Sequence, residues 1–271
     1  MLIHILGFLL LSISAGICGS ISVWNKNLFF SHIFAHSLLL PPAICTYIGM
    51  QSSNAILICS IIFGVLFGVL FTASGKLVKS DNNTVLLVFS LIIMSASILL
   101  YTKNNNVELE SYMMGDLIFT TPLQIFLLFI VTVFYIFYLK KYYKVILLNA
   151  INTDLATLQN KNISKIITIE IIAQSLLIVL GARMFGSLLI SSALIAPAIL
   201  IKMISKSPFE MVVNTSFLSF IICELGLLVG IKFNTHPAST ITMLYGIAAV
   251  IIIFISHYLK KGAKNTTVTT A

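Results

Sequence analysis

Two histidines, His32 and His36, lie four residues apart inside the longest stretch of the chain without a charged residue, between Lys26 and Lys76. In a helix, side chains four residues apart lie on the same face, about one turn from each other. Neutral imidazole is a common protein ligand for zinc and other borderline metals. The spacing therefore predicts a helix wall along which a divalent cation passes. The alternative is that both rings only hydrogen-bond to neighbouring helices.

Few other ionisable side chains lie inside apolar segments, where each costs about 2.5–3.5 kcal/mol at the membrane centre. Glu224 lies midway through such a segment, and we expect either an acid on the metal path or a packing residue hydrogen-bonded to another helix. Glu170, with Gln174 one turn later, is expected to be a helix-end residue near the membrane interface. His236, directly before Pro237, is either a site where the ion enters from outside or an interfacial residue.

The sequence lacks the patterns of covalent or nucleotide chemistry. No serine, histidine and acid set with a nucleophile elbow occurs. Residues 68–76 lack the glycine spacing of a phosphate-binding loop, and Leu77 replaces the required Ser or Thr. We therefore expect no enzyme activity and no bound cofactor, and an ATP-driven process would need a separate ATPase subunit. The four cysteines are isolated in apolar segments and are expected to be small core residues: Cys18, Cys45, Cys59 and Cys223.

The composition is that of a membrane protein. Hydrophobic residues make up 59% of the 271 positions and charged residues only 9%, with a mean hydropathy of +1.07. A membrane-spanning helix needs about 20 mainly apolar residues. An all-α polytopic protein with about eight or nine crossings is predicted, the lower number applying if 32–50 or 185–203 is re-entrant. The predicted crossings are 2–22, 32–50, 54–74, 84–101, 120–140, 166–182, 185–203, 210–231 and 237–258.

The basic residues alternate across these crossings and predict the orientation. Thirteen of the 16 fall on one side, which the positive-inside rule makes cytoplasmic. The N-terminus is then outside, without a cleaved signal peptide, and the C-terminus inside. The net charge of +8 thus reflects topology and predicts no nucleic-acid partner. We divide the chain into a lipid-embedded permease domain, 1–259, and a polar cytoplasmic tail, 260–271. The cytoplasmic set is Lys26, Lys76, Lys79, Lys140, Lys141, Lys144, Lys161, Lys165, Lys202, Lys206, Lys260, Lys261 and Lys264.

A short helix is predicted within the cytoplasmic segment 149–164. Asn152 or Thr153 is suited to cap its start, and Asp154 favours the positive end of its dipole. The helix is too short to span a membrane and carries a small apolar stripe. It either docks onto a partner protein or rests on lipid headgroups. Its candidate contact residues are Asp154, Leu155, Ala156 and Leu158.

Two further features bear on partners. The outer loop 102–119, which contains Asp116, either receives an extracytoplasmic partner or is a solvated connector. Gly64 and Gly68 have the small-xxx-small spacing that allows close helix contacts, including those of a dimer face.

The order of motifs resembles that of the membrane permease subunit of bacterial zinc, manganese and iron ATP-binding-cassette (ABC) importers. The similarity extends over nearly the whole chain, and the segment at 186–198 is the most specific. The motifs are Trp-Asn-Lys at 24–26 with Phe-Ser-His-Ile-Phe-Ala-His-Ser-Leu-Leu at 30–39, Tyr-Met-Met-Gly-Asp-Leu at 112–117 with Pro122, Asp-Leu-Ala at 154–156, Gly-Ser-Leu-Leu-Ile-Ser-Ser-Ala-Leu-Ile-Ala-Pro-Ala at 186–198, and Pro-Ala-Ser at 237–239.

This resemblance implies a vitamin-B12-transporter-like (BtuC-like, type II) permease fold in the bacterial inner membrane. It implies a homodimer with the cation path near the two-fold axis. Two ATPase subunits would dock on the 149–164 segments, and an extracytoplasmic metal-binding protein would deliver the ion to the outer loops. Asp116 and His236 are the candidate receiving residues there. Along the path the candidates are His32, His36 and Glu224.

The chain departs from the family pattern at several positions. His32 stands where the family usually has Asp, and Pro41 where a Gly is common. Thr235 often corresponds to Asp, and Ser239 replaces a Gly. Two imidazoles favour zinc, iron or copper over manganese, so zinc is the preferred cargo. Manganese or iron import remains an alternative, as does a secondary metal/proton carrier. A membrane enzyme would need a cluster of reactive residues, which is not found.

Overall fold

A computed structural model shows that the chain is built from helices. It describes the backbone of residues 2–50, 52–77, 82–103, 113, 115 and 121–268, and the side chains of 5–50, 52–73, 87–102, 113, 115 and 121–252. Within these ranges no strand is present, which agrees with the predicted all-α class. The helices are α1 (Leu2–Trp24), α2 (Leu28–Ser37), α3 (Leu40–Tyr47), α4 (Ser53–Leu77), α5 (Asn82–Lys103), α6 (Pro122–Ile151), α7 (Thr153–Gln159), α8 (Ile163–Phe185), α9 (Ser187–Lys202), α10 (Pro208–Phe233) and α11 (Pro237–Val268).

Each predicted crossing overlaps a helix, but the helices differ in length. In the described part of the chain, six helical stretches are long and apolar enough to cross a bilayer. Three more are apolar but shorter: Leu87–Thr102, Ser187–Lys202 and Pro237–Ile252. A total of eight or nine crossings therefore stays a prediction. The six long stretches are Ile5–Trp24, Leu28–Tyr47, Ser53–Ala73, Pro122–Ile151, Ile163–Phe185 and Pro208–Phe233.

The second predicted crossing is not one continuous helix. A turn at Leu38 and Leu39 separates α2 from α3, and Pro41 and Pro42 occupy the first turn of α3. Proline has no backbone N–H and is tolerated at the start of a helix but not in its interior. The proline pair therefore ends the first hydrogen-bond ladder and begins a second one. Both histidines of interest lie on α2, ahead of the break.

The helix α6 extends well beyond the predicted crossing 120–140 and ends only at Ile151. Its last turns carry Lys140, Lys141 and Lys144, whose charged ends can reach water while their stems pack along the helix. The polar connection to α8 is correspondingly short. It consists of α7 and a few residues on either side of it.

The core is formed by α1 and α8, which pack against most other helices. The helix α1 lies against α6, α9 and α10, and α8 lies against α2, α4, α6 and α9. A Cβ added at Gly64 would meet Val179 Cγ2 of α8 at 3.0 Å, and one added at Gly68 would meet Ser175 Oγ of α8 at 3.0 Å. The small-residue face of α4 is therefore filled within the same chain. The prediction of close helix contacts is thus confirmed with α8 as the partner, and these two glycines give no support to a dimer face.

Candidate metal path and coupling helix

The helix α2 presents His32 and His36 side by side, as their spacing predicts. The ring centroids are 4.6 Å apart and the ring planes are inclined by 84°. His32 is exposed and His36 is half-buried. The Nδ1 atom of His36 is buried without a hydrogen-bond partner, so the alternative in which the rings serve only as hydrogen-bonding core residues gains no support at this atom. The pair offers two neighbouring nitrogen ligands on one surface.

The opposite face of α2 fixes this orientation. Phe30 and Phe34 are fully buried one turn apart, and their rings are stacked at 5.6 Å. They pack into α4, where the Phe30 ring lies 4.8 Å from that of Phe71 and the Phe34 ring 5.0 Å from that of Phe67. Burying aromatic side chains of this size dominates the energetics of such a contact. Because the phenylalanines face the core, the imidazole of His32 faces away from it.

Glu224 does not join the histidines within one chain. It lies on α10, which packs against α1, α9 and α11, whereas α2 packs mainly against α5, α8 and α9. Its side chain is half-buried, and Oε1 has no hydrogen-bond partner. The expectation of a packing residue hydrogen-bonded to a neighbouring helix is therefore not met at this atom. A place for Glu224 on the metal path stays a prediction.

The histidine pair is a sparse ligand set. Among the described residues, no group of three or more His, Cys, Asp or Glu side chains is close enough to hold a metal ion. Structural zinc sites use four protein ligands and catalytic sites three. Two imidazoles at a protein surface therefore suit brief contact with a passing ion better than permanent binding.

The predicted short helix is present as α7, and its cap is confirmed. The Oδ1 atom of Asn152 accepts hydrogen bonds from the backbone N–H groups of Asp154 (3.0 Å) and Leu155 (3.1 Å). Leu155 is 51% exposed and Leu158 80% exposed, while Ala156 is 1% exposed. The helix therefore anchors through Ala156 and presents two leucines outward. Of its neighbours, it packs chiefly against α6.

The candidate outer sites are described only in part. Asp116 lies outside the described residues. His236 is half-buried in the turn between α10 and α11, and its Nδ1 atom has no hydrogen-bond partner. Gly115 lies directly against Gly186, the residue between α8 and α9, and both have positive φ angles, of 71° and 89°. Gly115 therefore rests on the α8–α9 junction, where a side chain at either glycine would be strained.

Glu170 is not the interfacial helix-end residue that was expected. The helix α8 begins at Ile163, so Glu170 lies about two turns inside it and is 2% exposed. Gln174, one turn later, is fully buried, and its Nε2 atom donates hydrogen bonds to Ser22 Oγ of α1 (3.1 Å) and Ser31 Oγ of α2 (2.6 Å). The sequence shows the polar pair but not its depth, and this buried cluster was missed.

The cysteines behave as predicted. All four are free thiols; Cys18, Cys45 and Cys223 are buried and Cys59 is half-buried. Two of them contact buried phenols, since Tyr135 donates to Cys18 (3.5 Å) and the Tyr245 hydroxyl lies 3.4 Å from Cys223. They pack as small core residues.

As a whole, this chain of long apolar helices is similar to the permease subunits of ABC transporters. The chain belongs to one family of this class, the ABC 3 transport family, whose model matches residues 1–256. It is a multi-pass protein of the bacterial inner membrane.

Individual relatives agree with this assignment over most of their length. The high-affinity zinc uptake system membrane protein ZnuB of Buchnera aphidicola subsp. Baizongia pistaciae is 27% identical over 89% of this chain and 92% of its own. The manganese import system permease protein ScaB of Streptococcus gordonii is 22% identical over 94% of this chain and 92% of its own. The solved structure of PsaBC from Streptococcus pneumoniae in complex with Fab has the same fold, with a TM-score of 0.79, 20% identity and coverage of 96% of this chain and 94% of that one.

Proposed function

We propose that this chain is the permease subunit of an ATP-driven importer that carries a divalent transition-metal ion, with zinc as the cargo. The observation that carries the proposal is the pair of imidazoles 4.6 Å apart on the outward face of a broken membrane helix. The family and the zinc and manganese systems among its relatives support metal as the cargo.

The ligand chemistry favours zinc within this family. The family pattern at His32 is an aspartate, and carboxylate oxygen suits manganese, whereas imidazole suits zinc, iron and copper. Two nitrogen ligands bind an ion loosely enough for release, which transport requires. Glu224 would add an oxygen ligand elsewhere along the path.

The exposure of His32 supports a homodimer. A polar ring in an apolar span that faces lipid is costly, and such side chains normally face a protein interior or a water-filled cavity. A second copy related by a two-fold axis would enclose the ion path between two α2 helices. The ion would then pass between imidazoles contributed by both chains.

The helix α7 is the proposed docking site for the ATPase. Leu155 and Leu158 are exposed apolar side chains on a projecting helix, with Asp154 at its start. The charge distribution of the sequence supports a cytoplasmic α7, with the N-terminus outside and the C-terminus inside. Closure of two ATPase subunits would move α7 and switch the path between outward-open and inward-open. A metal-binding protein outside the membrane would deliver the ion near Asp116 and His236.

Uptake of radioactive zinc into proteoliposomes tests the metal path. The chain is reconstituted with its cognate ATPase and ATP, and His32→Ala/His36→Ala is compared with Ile130→Ala. Ile130 is an exposed side chain of α6, which is not among the helices that α2 mainly packs against. We expect zinc uptake to be lost in the double variant and kept in the control. Unchanged uptake in the double variant would remove the ligand role of both histidines.

Two additions to this assay address the alternatives. His32→Asp restores one carboxylate and should shift the preference from zinc towards manganese. Omission of the ATPase separates an ATP-driven importer from a secondary carrier. Zinc accumulation by the chain alone, driven by a proton gradient, would overturn the proposed function.

A further inference from the structure

Glu170 is a buried acid without a counter-charge. Its Oε1 atom has no hydrogen-bond partner, and the carboxyl lies inside an apolar span. The titratable groups that face it are the thiol of Cys18 on α1 and the phenols of Tyr135 and Tyr138 on α6. In the described portions of α2, α4 and α9, no cationic side chain pairs with it. An ionised carboxylate in such surroundings is much costlier than a neutral one.

The side-chain oxygen of Gln174, one turn further along α8, also has no hydrogen-bond donor. Its Nε2 atom is engaged by Ser22 and Ser31, but its Oε1 atom is buried without a partner. Glu170 precedes it by four residues on the same helix, so the two side chains lie one turn apart on one face. A carboxylate and an amide oxygen both accept hydrogen bonds, and only a protonated carboxyl can donate to the other. One proton on Glu170 therefore supplies the donor that this pair lacks.

Two cavities lie beside the first turns of α8, ahead of this acid, and Glu170 itself lines neither of them. The larger, of about 500 Å³, has Thr153 and Thr157 of α7 in its wall and extends to Ile167 and Ile171 of α8. The smaller, of about 10 Å³, is close to the space that one water needs and shares Asn149 with the first.

The smaller cavity reaches the neighbourhood of Glu170. Tyr138 lines it, and the Tyr138 hydroxyl donates to the backbone oxygen of Ile166, one turn before Glu170 (2.9 Å). Asn25 and Asn149 lie in the same wall, 3.3 Å apart through their amides. Polar groups thus continue from the α7 surface to the phenol that faces the acid.

We propose that Glu170 is a proton-binding site, reached from the α7 side, whose proton closes the Glu170–Gln174 pair and fixes α8 to α1 and α2. The proton comes from water on that side and returns there. Because α8 follows α7 and α2 carries His32 and His36, Glu170 acts as a positioning residue between the coupling helix and the proposed metal path. Its protonation is a property of the folded chain and does not depend on metal transport.

Infrared difference spectroscopy of the purified full chain in nanodiscs tests the proton directly. The spectrum of the wild type minus Glu170→Gln should contain the C=O band of a protonated carboxyl at neutral pH. That band should shift on exchange into heavy water and disappear on alkalinisation. The control is Glu210→Gln, because Glu210 lies at the exposed start of α10 and should contribute a carboxylate band. A carboxylate band for Glu170 at neutral pH would overturn the proposal.

Transport provides the second readout. Glu170→Gln keeps the shape and supplies a permanent N–H donor to Gln174, so uptake should persist and become insensitive to pH on the α7 side. Wild-type uptake should fall about fivefold once Glu170 loses its proton, the effect of about one hydrogen bond. An identical pH profile in both chains would refute the positioning role.

A folding defect in Glu170→Gln would not block the test. Alkaline titration of wild-type chain labelled with ¹³C at the glutamate carboxyls reports the same protonated band, and its absence counts against the site. Since the infrared measurement needs no transport, failure of this inference and failure of metal import are detected separately.

Discussion

The cap of α7 offers a sharp test of the coupling role, through the substitution Asn152→Ala. The side chain of Asn152 accepts two backbone N–H groups, at 3.0 and 3.1 Å, and is otherwise exposed. Removing it leaves the core untouched and acts only on the start of α7. Asn152→Ser keeps a capping oxygen and serves as the conservative variant.

The expected magnitude follows from the size of the helix. Replacing a capping Asn with Ala costs about 1 kcal/mol. The helix α7 has only seven residues, and isolated helices of fewer than about 12 residues are marginal in water. The helix α7 therefore has little helical stability of its own. A loss of about 1 kcal/mol reduces the population of the docked helical form about fivefold.

The assay is the affinity of the nanodisc-embedded chain for its ATPase, with ATPase stimulation measured in parallel. We expect about fivefold weaker binding for Asn152→Ala and near-normal binding for Asn152→Ser. Asn162→Ala is the matched control, because Asn162 occupies the equivalent position before α8 but makes no capping bond through its side chain. Equal affinities for Asn152→Ala and wild type, or a loss as large in Asn162→Ala, would refute this reasoning.

Two further predictions concern recognition and packing. Leu158→Ser should weaken ATPase binding but hardly change the thermal unfolding midpoint, because the Leu158 side chain is 80% exposed. A clear drop in the midpoint would show that Leu158 packs inside the protein. Gly16→Ala should lower the unfolding midpoint by the equivalent of about 1–3 kcal/mol, because the new Cβ would lie 2.7 Å from the backbone of Ser216. Gly246→Ala is the control, because nothing lies within 4 Å of the added Cβ, and it should leave the unfolding midpoint unchanged or slightly raised. If Gly16→Ala and Gly246→Ala lower the midpoint equally, close packing at Gly16 is not the cause.

Much of the architecture follows from local sequence physics. Apolar length predicts where the helices lie, because the bilayer allows few other solutions. The cap at Asn152 and the shared face of His32 and His36 are equally local, since they depend on spacings of two to four residues. These are the features that the structure confirms.

The features that sequence reasoning missed depend on partners distant in the chain. The start of α8 at Ile163 places Glu170 two turns deep, and only Ser22 and Ser31 on other helices reveal that Gln174 is buried. Likewise, the spacing of Gly64 shows that something approaches closely but not that it is α8. Helix ends and packing partners are set by tertiary contacts, which one sequence without relatives does not determine.

The turn at Leu38 and Leu39 divides the second predicted crossing into two helices that need not share one axis. In an unbroken helix, a bend must stretch or break backbone hydrogen bonds worth about 0.5–1.5 kcal/mol each. Here Pro41 and Pro42 donate no such bonds, so the ladder is already interrupted at this point. The angle between α2 and α3 is therefore set by the side-chain packing of each segment and not by a continuous hydrogen-bond ladder, and the buried Phe30 and Phe34 decide where α2 holds its two imidazoles.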